Sequence, residues 1–162
     1  MEQNYSWKKG IFSRSYIIFE NERRVGNLSD RSFLQTACGE LNEEKYTFKT
    51  NGFFYQRTRI VDNKANKIIG EITYNTWMSK ATININGQKF GLKYDNVWNT
   101  KWSISGLNET QIRYNSSTTT GRIQSNTDNQ LLILAGLFVA NYYLQTTLVV
   151  LLIVFIPALL RH

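Results

Sequence analysis

The C-terminal segment constrains the fold more than any other feature of the sequence. Residues 129–162 read NQLLILAGLFVANYYLQTTLVVLLIVFIPALLRH, and no charged side chain occurs between Asn129 and Leu160. A helix of thirty residues is about 45 Å long, which exceeds the roughly 30 Å hydrocarbon layer of a bilayer. A single span would also bring Asn141 and Gln145 near the middle of the membrane. The segment therefore suits either a membrane helix or the inside of a protein.

The remainder of the chain is polar and basic. All Asp and Glu lie at or before Asp128, all Lys and Arg except Arg161 lie before residue 123, and the net charge is +7. This charge favours anionic partners such as lipid head groups, although it also serves solubility. The N-terminus lacks the apolar stretch of a signal peptide, so we expect the basic part to face the cytoplasm. Cys38, the single cysteine, is expected to be a buried structural thiol.

The region before the C-terminal segment has the composition of β-strands. Proline is absent before Pro157, whereas β-branched and aromatic residues are frequent. The clearest hairpin is KATININGQKFGLKYD, residues 80–95, in which Asn86-Gly87 is typical of a type I′ turn. A two-residue turn pairs Ile83 with Phe90 and places both on the inner face.

Further strands are predicted between turn residues. They cover about 5–8, 14–20, 23–29, 31–41, 45–50, 53–62, 67–75, 101–105, 111–115 and 117–124. Roughly a dozen strands at this spacing are typical of an all-β sandwich or barrel. A shift of 44 residues superimposes 24–29 on 68–73, which indicates a duplicated unit. Gly26 and Gly70 then occupy equivalent mid-strand positions, where a bulge, a bend or a close approach by another element is expected.

A helix inside a barrel explains the first half of the apolar segment. We predict this helix at about 128–145, with Asp128 as its N-cap, because a helix that is apolar all round is either a core or a membrane span. Small residues let the strands approach, and a barrel of this size needs filling. The residues assigned to this central helix are Ala135, Gly136, Phe138, Asn141 and Tyr142.

The second half is not needed to fill a barrel. Outside the barrel, residues 148–160 would be an exposed apolar surface, and insertion into a membrane is the expected use. The residues assigned to this membrane-contacting extension are Leu148, Leu151, Leu152, Phe155 and Pro157. The chain is thus divided into a barrel with its central helix, 1–145, and an apolar extension, 146–162.

Twelve or so strands followed by an apolar helix with small residues and a late polar residue resemble the tubby C-terminal-like superfamily. That group includes tubby domains, LURP-one-related proteins and phospholipid scramblases, and the chain looks most like small bacterial members. The resemblance implies a closed antiparallel β-barrel around a helix whose centre is AGLFVANYYLQ, residues 135–145. Asn141 lies where scramblase-like helices carry an acid. The stretch RIQSNTDNQ before the helix contains one acid, Asp128, so the calcium binding of some scramblases is not expected.

Few residues suggest catalysis. The single histidine is His162, the single cysteine is Cys38, and neither a Gly-rich phosphate loop nor a G-x-S-x-G motif occurs. We therefore expect no enzyme activity, no metal and no cofactor. Cations at predicted strand ends and turns are the candidates for contact with lipid head groups. They are Lys8, Lys9, Arg23, Arg24, Lys64 and Lys67.

The sequence predicts a membrane-associated, non-enzymatic β-barrel that faces the cytoplasm and binds anionic lipid or acts as a membrane-held adaptor. One alternative is a tail-anchored β-sandwich with the whole of 131–160 in the bilayer. Another is a soluble barrel that binds nucleic acid, although no dense basic run supports such a partner. The sequence indicates no particular partner protein.

Overall fold

A computed structural model describes residues 2–52 and 56–160. Within them, twelve antiparallel strands form a closed barrel around one C-terminal helix, as the sequence predicts. The strands are β1 (Gln3–Lys8), β2 (Ser15–Glu20), β3 (Arg23–Ser32), β4 (Thr36–Leu41), β5 (Glu44–Asn51), β6 (Arg57–Asp62), β7 (Lys67–Tyr74), β8 (Lys80–Ile85), β9 (Gln88–Tyr94), β10 (Lys101–Gly106), β11 (Gln111–Ser116) and β12 (Thr120–Ser125). Helix α1 is Gln130–Leu159.

Each strand pairs with the next along the chain, and β1 closes the barrel by pairing with β12, from Gln3 opposite Ser125 to Lys8 opposite Thr120. Because neighbouring strands are antiparallel, successive connections alternate between the two ends of the barrel. The turns β2–β3, β4–β5, β6–β7, β8–β9 and β10–β11 lie at the end where α1 begins, called here the helix-entry end. The loops β1–β2, β3–β4, β5–β6, β7–β8, β9–β10 and β11–β12 lie at the helix-exit end.

The β8–β9 hairpin has the predicted register. Ile83 pairs with Phe90, and both side chains are buried in the barrel, at 0% and 7% exposure. Asn86 and Gly87 have the positive φ angles that a type I′ turn requires, 49° and 85°. The register of this strand pair could therefore be predicted from the local sequence.

The 44-residue repeat is also a repeat of local geometry. The register shifts leave Val25 unpaired between β2 and β3 and Ile69 unpaired between β6 and β7, and these bulged residues are 44 positions apart. The carbonyl of Val25 accepts from the N–H of Asn42 at 2.9 Å, and that of Ile69 accepts from the N–H of Asn86 at the same distance. The units β2–β5 and β6–β9 thus share their bulge and the two-residue turn of their second hairpin.

The predicted close approach at the two mid-strand glycines is confirmed. A Cβ atom at Gly26 would overlap the carbonyl oxygen of Glu40, and a Cβ atom at Gly70 would come within 2.5 Å of the carbonyl oxygen of Asn84. In both cases the obstacle is the backbone of the next strand, which cannot give way as a side chain can. Glycine is therefore required at both places for the strands to pair.

Three local predictions differ from the structure. The strand predicted at 31–41 is interrupted by a turn, in which Leu34 has φ 57° and the N–H of Gln35 donates to the carbonyl of Ser32 at 2.8 Å. The strand predicted at 53–62 is β6 from Arg57 onward, while residues 53–55 lie outside the described residues. The N-cap is Asn129 rather than Asp128, because its side-chain oxygen accepts from the N–H of Leu132 at 2.9 Å.

The first half of α1 fills the barrel and forms one core with the inward side chains of the strands. All the residues assigned to the central helix are buried, namely Ala135, Gly136, Phe138, Asn141 and Tyr142. The ring of Phe138 stacks on that of Phe48 with centroids 4.5 Å apart. Burying each such large apolar side chain contributes about 1.5–3 kcal/mol. The alternative arrangement, a sandwich with the whole of 131–160 in a bilayer, is wrong because the barrel encloses the first half of α1.

The second half of α1 continues in the same direction without a break. Burial changes close to the predicted boundary: Tyr143 is 2% exposed, Gln145 is 9% exposed, and Leu148 is 47% exposed. The residues assigned to the extension are all exposed, namely Leu148, Leu151, Leu152, Phe155 and Pro157. The barrel therefore encloses the first half of α1 and leaves the second half exposed.

Candidate functional site

The direction of α1 follows from hydrogen bonds that the barrel wall makes with it. Near its start, the hydroxyl of Tyr114 donates to the carbonyl of Ile133 at 3.0 Å. About two turns later, the hydroxyl of Tyr16 donates to the side-chain oxygen of Asn141 at 3.3 Å. Finally, the hydroxyl of Tyr143 donates to the carbonyl of the first residue of β8, at the helix-exit end. The extension therefore leaves the barrel among the helix-exit loops.

These loops expose large apolar side chains at their tips. Phe12 is 98% exposed in the β1–β2 loop, Trp77 is 86% exposed in the β7–β8 loop, and Trp98 is 82% exposed in the β9–β10 loop. We call the exposed apolar loop residues of the helix-exit end the apolar rim. Its described members are Ile11, Phe12, Phe33, Trp77, Val97 and Trp98. Among the described residues of the opposite end, Leu107 and Ile68 are the large apolar side chains that are comparably exposed.

Two rim loops are built alike, with the sequences NTWMSK at 75–80 and NVWNTK at 96–101. In each, the side-chain oxygen of the first Asn accepts from two backbone N–H groups beyond the loop tip, at distances of 2.9–3.0 Å. The residue after each Trp has positive φ, 50° at Met78 and 54° at Asn99. The same hydrogen bonds and backbone angles hold both indole rings out from the barrel, so the conformation of each loop accounts for the exposure of its Trp.

Charge is distributed unequally between the two ends. Among the described residues, the half of the barrel nearer the helix exit has eleven cations and three acids, whereas the other half has seven cations and nine acids. The cations of the helix-exit half are Lys8, Lys9, Arg14, Arg31, Lys49, Arg57, Arg59, Lys80, Lys93, Lys101 and Arg122, and the acids are Asp30, Glu71 and Asp95. Two of these acids form ion pairs, Asp30 with Arg14 at 3.7 Å and Glu71 with Arg57 at 3.3 Å.

The six cations predicted to contact head groups do not lie together. Lys8 and Lys9 are at the helix-exit end, where the extension emerges. The other four are at the helix-entry end, at the far side of the barrel, namely Arg23, Arg24, Lys64 and Lys67. The amino groups of the first two lie over aromatic rings, that of Lys8 5.6 Å from the Phe19 centroid and that of Lys9 5.2 Å from the Tyr16 centroid. Burial lowers the pKa of Lys9.

The polar residues of α1 are accommodated by the barrel. Asn141 and Gln145 line a small cavity together with Asp30, at the helix-exit end. Burial raises the pKa of the Asp30 carboxyl, and the nearby Arg14 guanidinium opposes that rise. The amide groups that would be costly near the middle of a bilayer are thus placed among polar groups of protein.

The sequence analysis missed the apolar rim. A partial signal was present, because four loops of the helix-exit end contain IF, SFL, NTW and NVW, whereas four turns of the helix-entry end read NE, NE, NKAN and NG. Two described loops depart from this contrast: 117–119, STT, is polar at the helix-exit end, and 107–110, LNET, exposes Leu107 at the other. Recognising it required the topology, since only an up-and-down barrel brings alternate loops to one end. Cys38, expected to be buried, is half-buried on the outer wall, 3.9 Å from the hydroxyl of Thr47.

Length and composition would allow α1 to cross a membrane, although part of the helix is enclosed by the barrel. Within residues 2–52 and 56–160, no group of three or more His, Cys, Asp or Glu side chains is placed to hold a metal ion. No protein-family model, curated protein or solved structure matches the chain.

Proposed function

We propose that the chain is a membrane-bound β-barrel whose helix-exit end rests on an anionic lipid surface, with the extension inserted in the bilayer. The observation that carries this proposal is a coincidence of position. The exposed half of α1, the apolar rim and the excess of cations all lie at the same end of the barrel. Each feature alone has an ordinary explanation, but one end of a soluble barrel has no need of all three.

The extension supplies the apolar part of the binding. Residues 146–159 form about 21 Å of helix at 1.5 Å per residue, enough to pass through one leaflet and into the other. They include Leu151, Leu152 and Phe155, which are 45–58% exposed without a membrane. Lipid would remove these side chains from water, at about 25 cal/mol per Å² of apolar surface.

The apolar rim suits the boundary between hydrocarbon and head groups. Trp77 and Trp98 project from the barrel at the level where the extension emerges. Tryptophan is enriched at this depth of membrane proteins, because its ring is apolar and its N–H is polar. The rim therefore fixes the barrel upright on the surface, which a lone helix cannot do.

The cations of the helix-exit half add electrostatic attraction. Each Lys or Arg close to an anionic leaflet contributes about 1 kcal/mol, and this attraction decays over a Debye length. The Arg14 guanidinium lies 5.3 Å from the ring centroid of the rim residue Phe33, and Lys9 and Lys101 border rim loops. The acid-rich turns of the helix-entry end are turned away from the lipid. Such an orientation leaves the helix-entry end in the cytoplasm, available to a protein partner, as in a membrane-held adaptor.

Vesicle flotation at several salt concentrations tests this proposal. We expect the full chain to float with vesicles of phosphatidylcholine and phosphatidylglycerol, and to need less lipid as the anionic fraction rises. Charge-reversing Lys9→Glu and Lys101→Glu should reduce the dependence on anionic lipid, whereas Lys64→Glu and Lys67→Glu at the other end should not. A chain that stays in solution with every vesicle composition would refute the proposal. Binding of RNA or DNA in preference to vesicles would favour the nucleic-acid alternative.

Membership of the tubby C-terminal-like superfamily and the lack of enzyme activity stay predictions. The proposed function requires neither of them, since it is argued from the position of the rim, the extension and the charges.

A further inference from the structure

A cleft opens between the emerging helix and one side of the barrel mouth. Its volume is about 700 Å³, within the roughly 300–1,000 Å³ of ligand pockets. The helix contributes Ala140, Leu144 and Leu148 to one wall, and the loops β1–β2, β9–β10 and β11–β12 form the other. The cleft is therefore placed where the barrel ends and the extension begins.

Most of the lining is apolar or aromatic. Leu144 and Leu148 of the helix line the cleft together with Phe12, Trp98 and Trp102 of the barrel. Leu148 belongs both to this lining and to the exposed surface of the extension. An apolar chain lying in the cleft would thus be continuous with the hydrocarbon around the extension.

The polar part of the cleft is suited to an anion. Lys9 is the cation among its described lining residues, and none of these residues is acidic. Hydroxyl groups of Ser117 and Thr118 lie in the same lining. The indole N–H of Trp7, a residue that is 2% exposed and lines the cleft, has no hydrogen-bond partner among the described residues. Such an unpaired buried donor is unusual in a folded protein.

We propose that this cleft binds one molecule of phospholipid with an anionic head group, taken from the membrane on which the barrel rests. One acyl chain lies between Leu148 and Trp98, and the phosphate is held near Lys9. This inference rests on the proposed function, since it needs the rim to be at the membrane surface. The cleft then gives the barrel a choice among lipids, which apolar insertion alone does not provide.

A phospholipid fits these features better than a peptide does. Its lining combines one cation with apolar and aromatic side chains, which matches the chemistry of an anionic head group and an acyl chain. Its open side adjoins the extension, so lipid is the molecule present at the highest concentration there. A peptide would need partners for its backbone groups, whereas the helical side of the cleft offers side chains and no free sheet edge.

The test uses the full chain in nanodiscs that contain a trace of phosphatidylglycerol with a photoactivatable acyl chain. Cross-linked peptides are mapped by mass spectrometry. Thr147→Trp fills the cleft from the exposed helix face, and Val150→Trp adds the same side chain to the extension outside the cleft. Lys9→Gln removes the cation of the cleft, and Lys67→Gln removes a cation of the helix-entry end, outside the cleft.

We expect the cross-links of the unmodified chain to concentrate on Trp98 and on residues 144–148. Thr147→Trp should reduce them at least fivefold, and Val150→Trp should leave them unchanged. Lys9→Gln should lower the preference for anionic over zwitterionic probe severalfold, and Lys67→Gln should not. Cross-links spread evenly along 146–160, or equal labelling of both Trp variants, would overturn the cleft while membrane binding persists. If the unmodified chain does not bind the membrane at all, the proposed function is refuted instead.

Discussion

The Tyr114 side chain occupies the space that a Cβ atom of residue 136 would need. A Cβ atom at Gly136 would overlap the hydroxyl oxygen and the ring of Tyr114, whose hydroxyl donates to the carbonyl of Ile133 at 3.0 Å. The barrel wall therefore approaches the backbone of α1 directly at this point. The pair fixes both the depth and the rotation of the helix in the barrel.

Gly136→Ala should destabilise the fold by about 1–2 kcal/mol in total. The overlap costs up to about 3 kcal/mol, since an overpacked core must shift, and the higher helix propensity of Ala offsets about 1 kcal/mol of it. Urea unfolding in mild detergent measures the effect. Gly91→Ala is the matched control, because a Cβ atom at Gly91 meets no atom within 4 Å. Equal stability of the two variants would mean that Tyr114 and α1 are not packed as described.

Two C-terminal deletions distinguish the two halves of α1. Removing 146–162 should leave a folded barrel, since this part of the helix is exposed, and should abolish vesicle flotation. Removing 129–162 should unfold the barrel, because it takes away the buried side chains from Leu131 to Tyr143. Far-UV circular dichroism and hydrogen exchange report whether each shortened chain folds, and vesicle flotation reports whether it binds membranes. A stable barrel without 129–162 would contradict the role of the helix as its core.

Trp77→Ser and Trp98→Ser together should weaken vesicle binding at least about tenfold. Removing about 1.4 kcal/mol suffices for a tenfold change, and burial of one large apolar side chain contributes about 1.5–3 kcal/mol. Stability should change by less than about 0.5 kcal/mol per substitution, because both rings are exposed. Leu107→Ser at the helix-entry end, 78% exposed, is the control and should bind as the unmodified chain does.

Alkaline pH should unfold the barrel, because burial raises the pKa of several wall tyrosines. The pKa of Tyr114 is raised well above its ordinary value, and that of Tyr94 to about 12. In the unfolded chain these groups ionise near pH 10. Above that pH the unfolded state has lost protons that the folded state retains, so the free energy of unfolding falls as pH rises. It should be constant with respect to these groups below about pH 9.

Tyr114→Phe isolates one of these groups. Between about pH 10 and the raised pKa, the loss of stability should be shallower by about 1.4 kcal/mol per pH unit. At neutral pH the variant should be less stable by about 1 kcal/mol, since the hydrogen bond to Ile133 is gone. Urea unfolding at a series of pH values gives both quantities. An unchanged slope would show that Tyr114 ionises as readily in the barrel as in water.

Much of the fold was predictable because its determinants are local. The Asn86-Gly87 turn determines the register of β8 and β9. The bulges near Gly26 and Gly70 occur at equivalent positions of a sequence repeat. The absence of charge between Asn129 and Leu160, combined with a row of strands that needs a core, indicated the enclosed helix. The choice of Asn129 over Asp128 as N-cap was not determined, because both residues are good caps and they are adjacent.

The candidate site was less predictable because it depends on topology. Trp77 and Trp98 are 21 residues apart, and Phe12 is farther from both, so only the up-and-down order of the strands places them at one end. The same order places Lys9 and Lys64 at opposite ends of the barrel, although both were predicted from the sequence as cations in turns. Alternation between apolar and polar loops is the signal, and it can be recognised only when the order of the strands around the barrel is known.

Spin-label depth measurements in anionic vesicles test the central claim most directly. Single cysteines at Leu152, Trp98 and Leu107, in a Cys38→Ser background, sample the extension, the apolar rim and the helix-entry end. Collision with oxygen and with a water-soluble nickel complex reports the depth of each label. The account predicts a hydrocarbon environment at Leu152, the head-group boundary at Trp98 and water at Leu107. A label at Leu152 that is as accessible to the nickel complex as the label at Leu107 would contradict it.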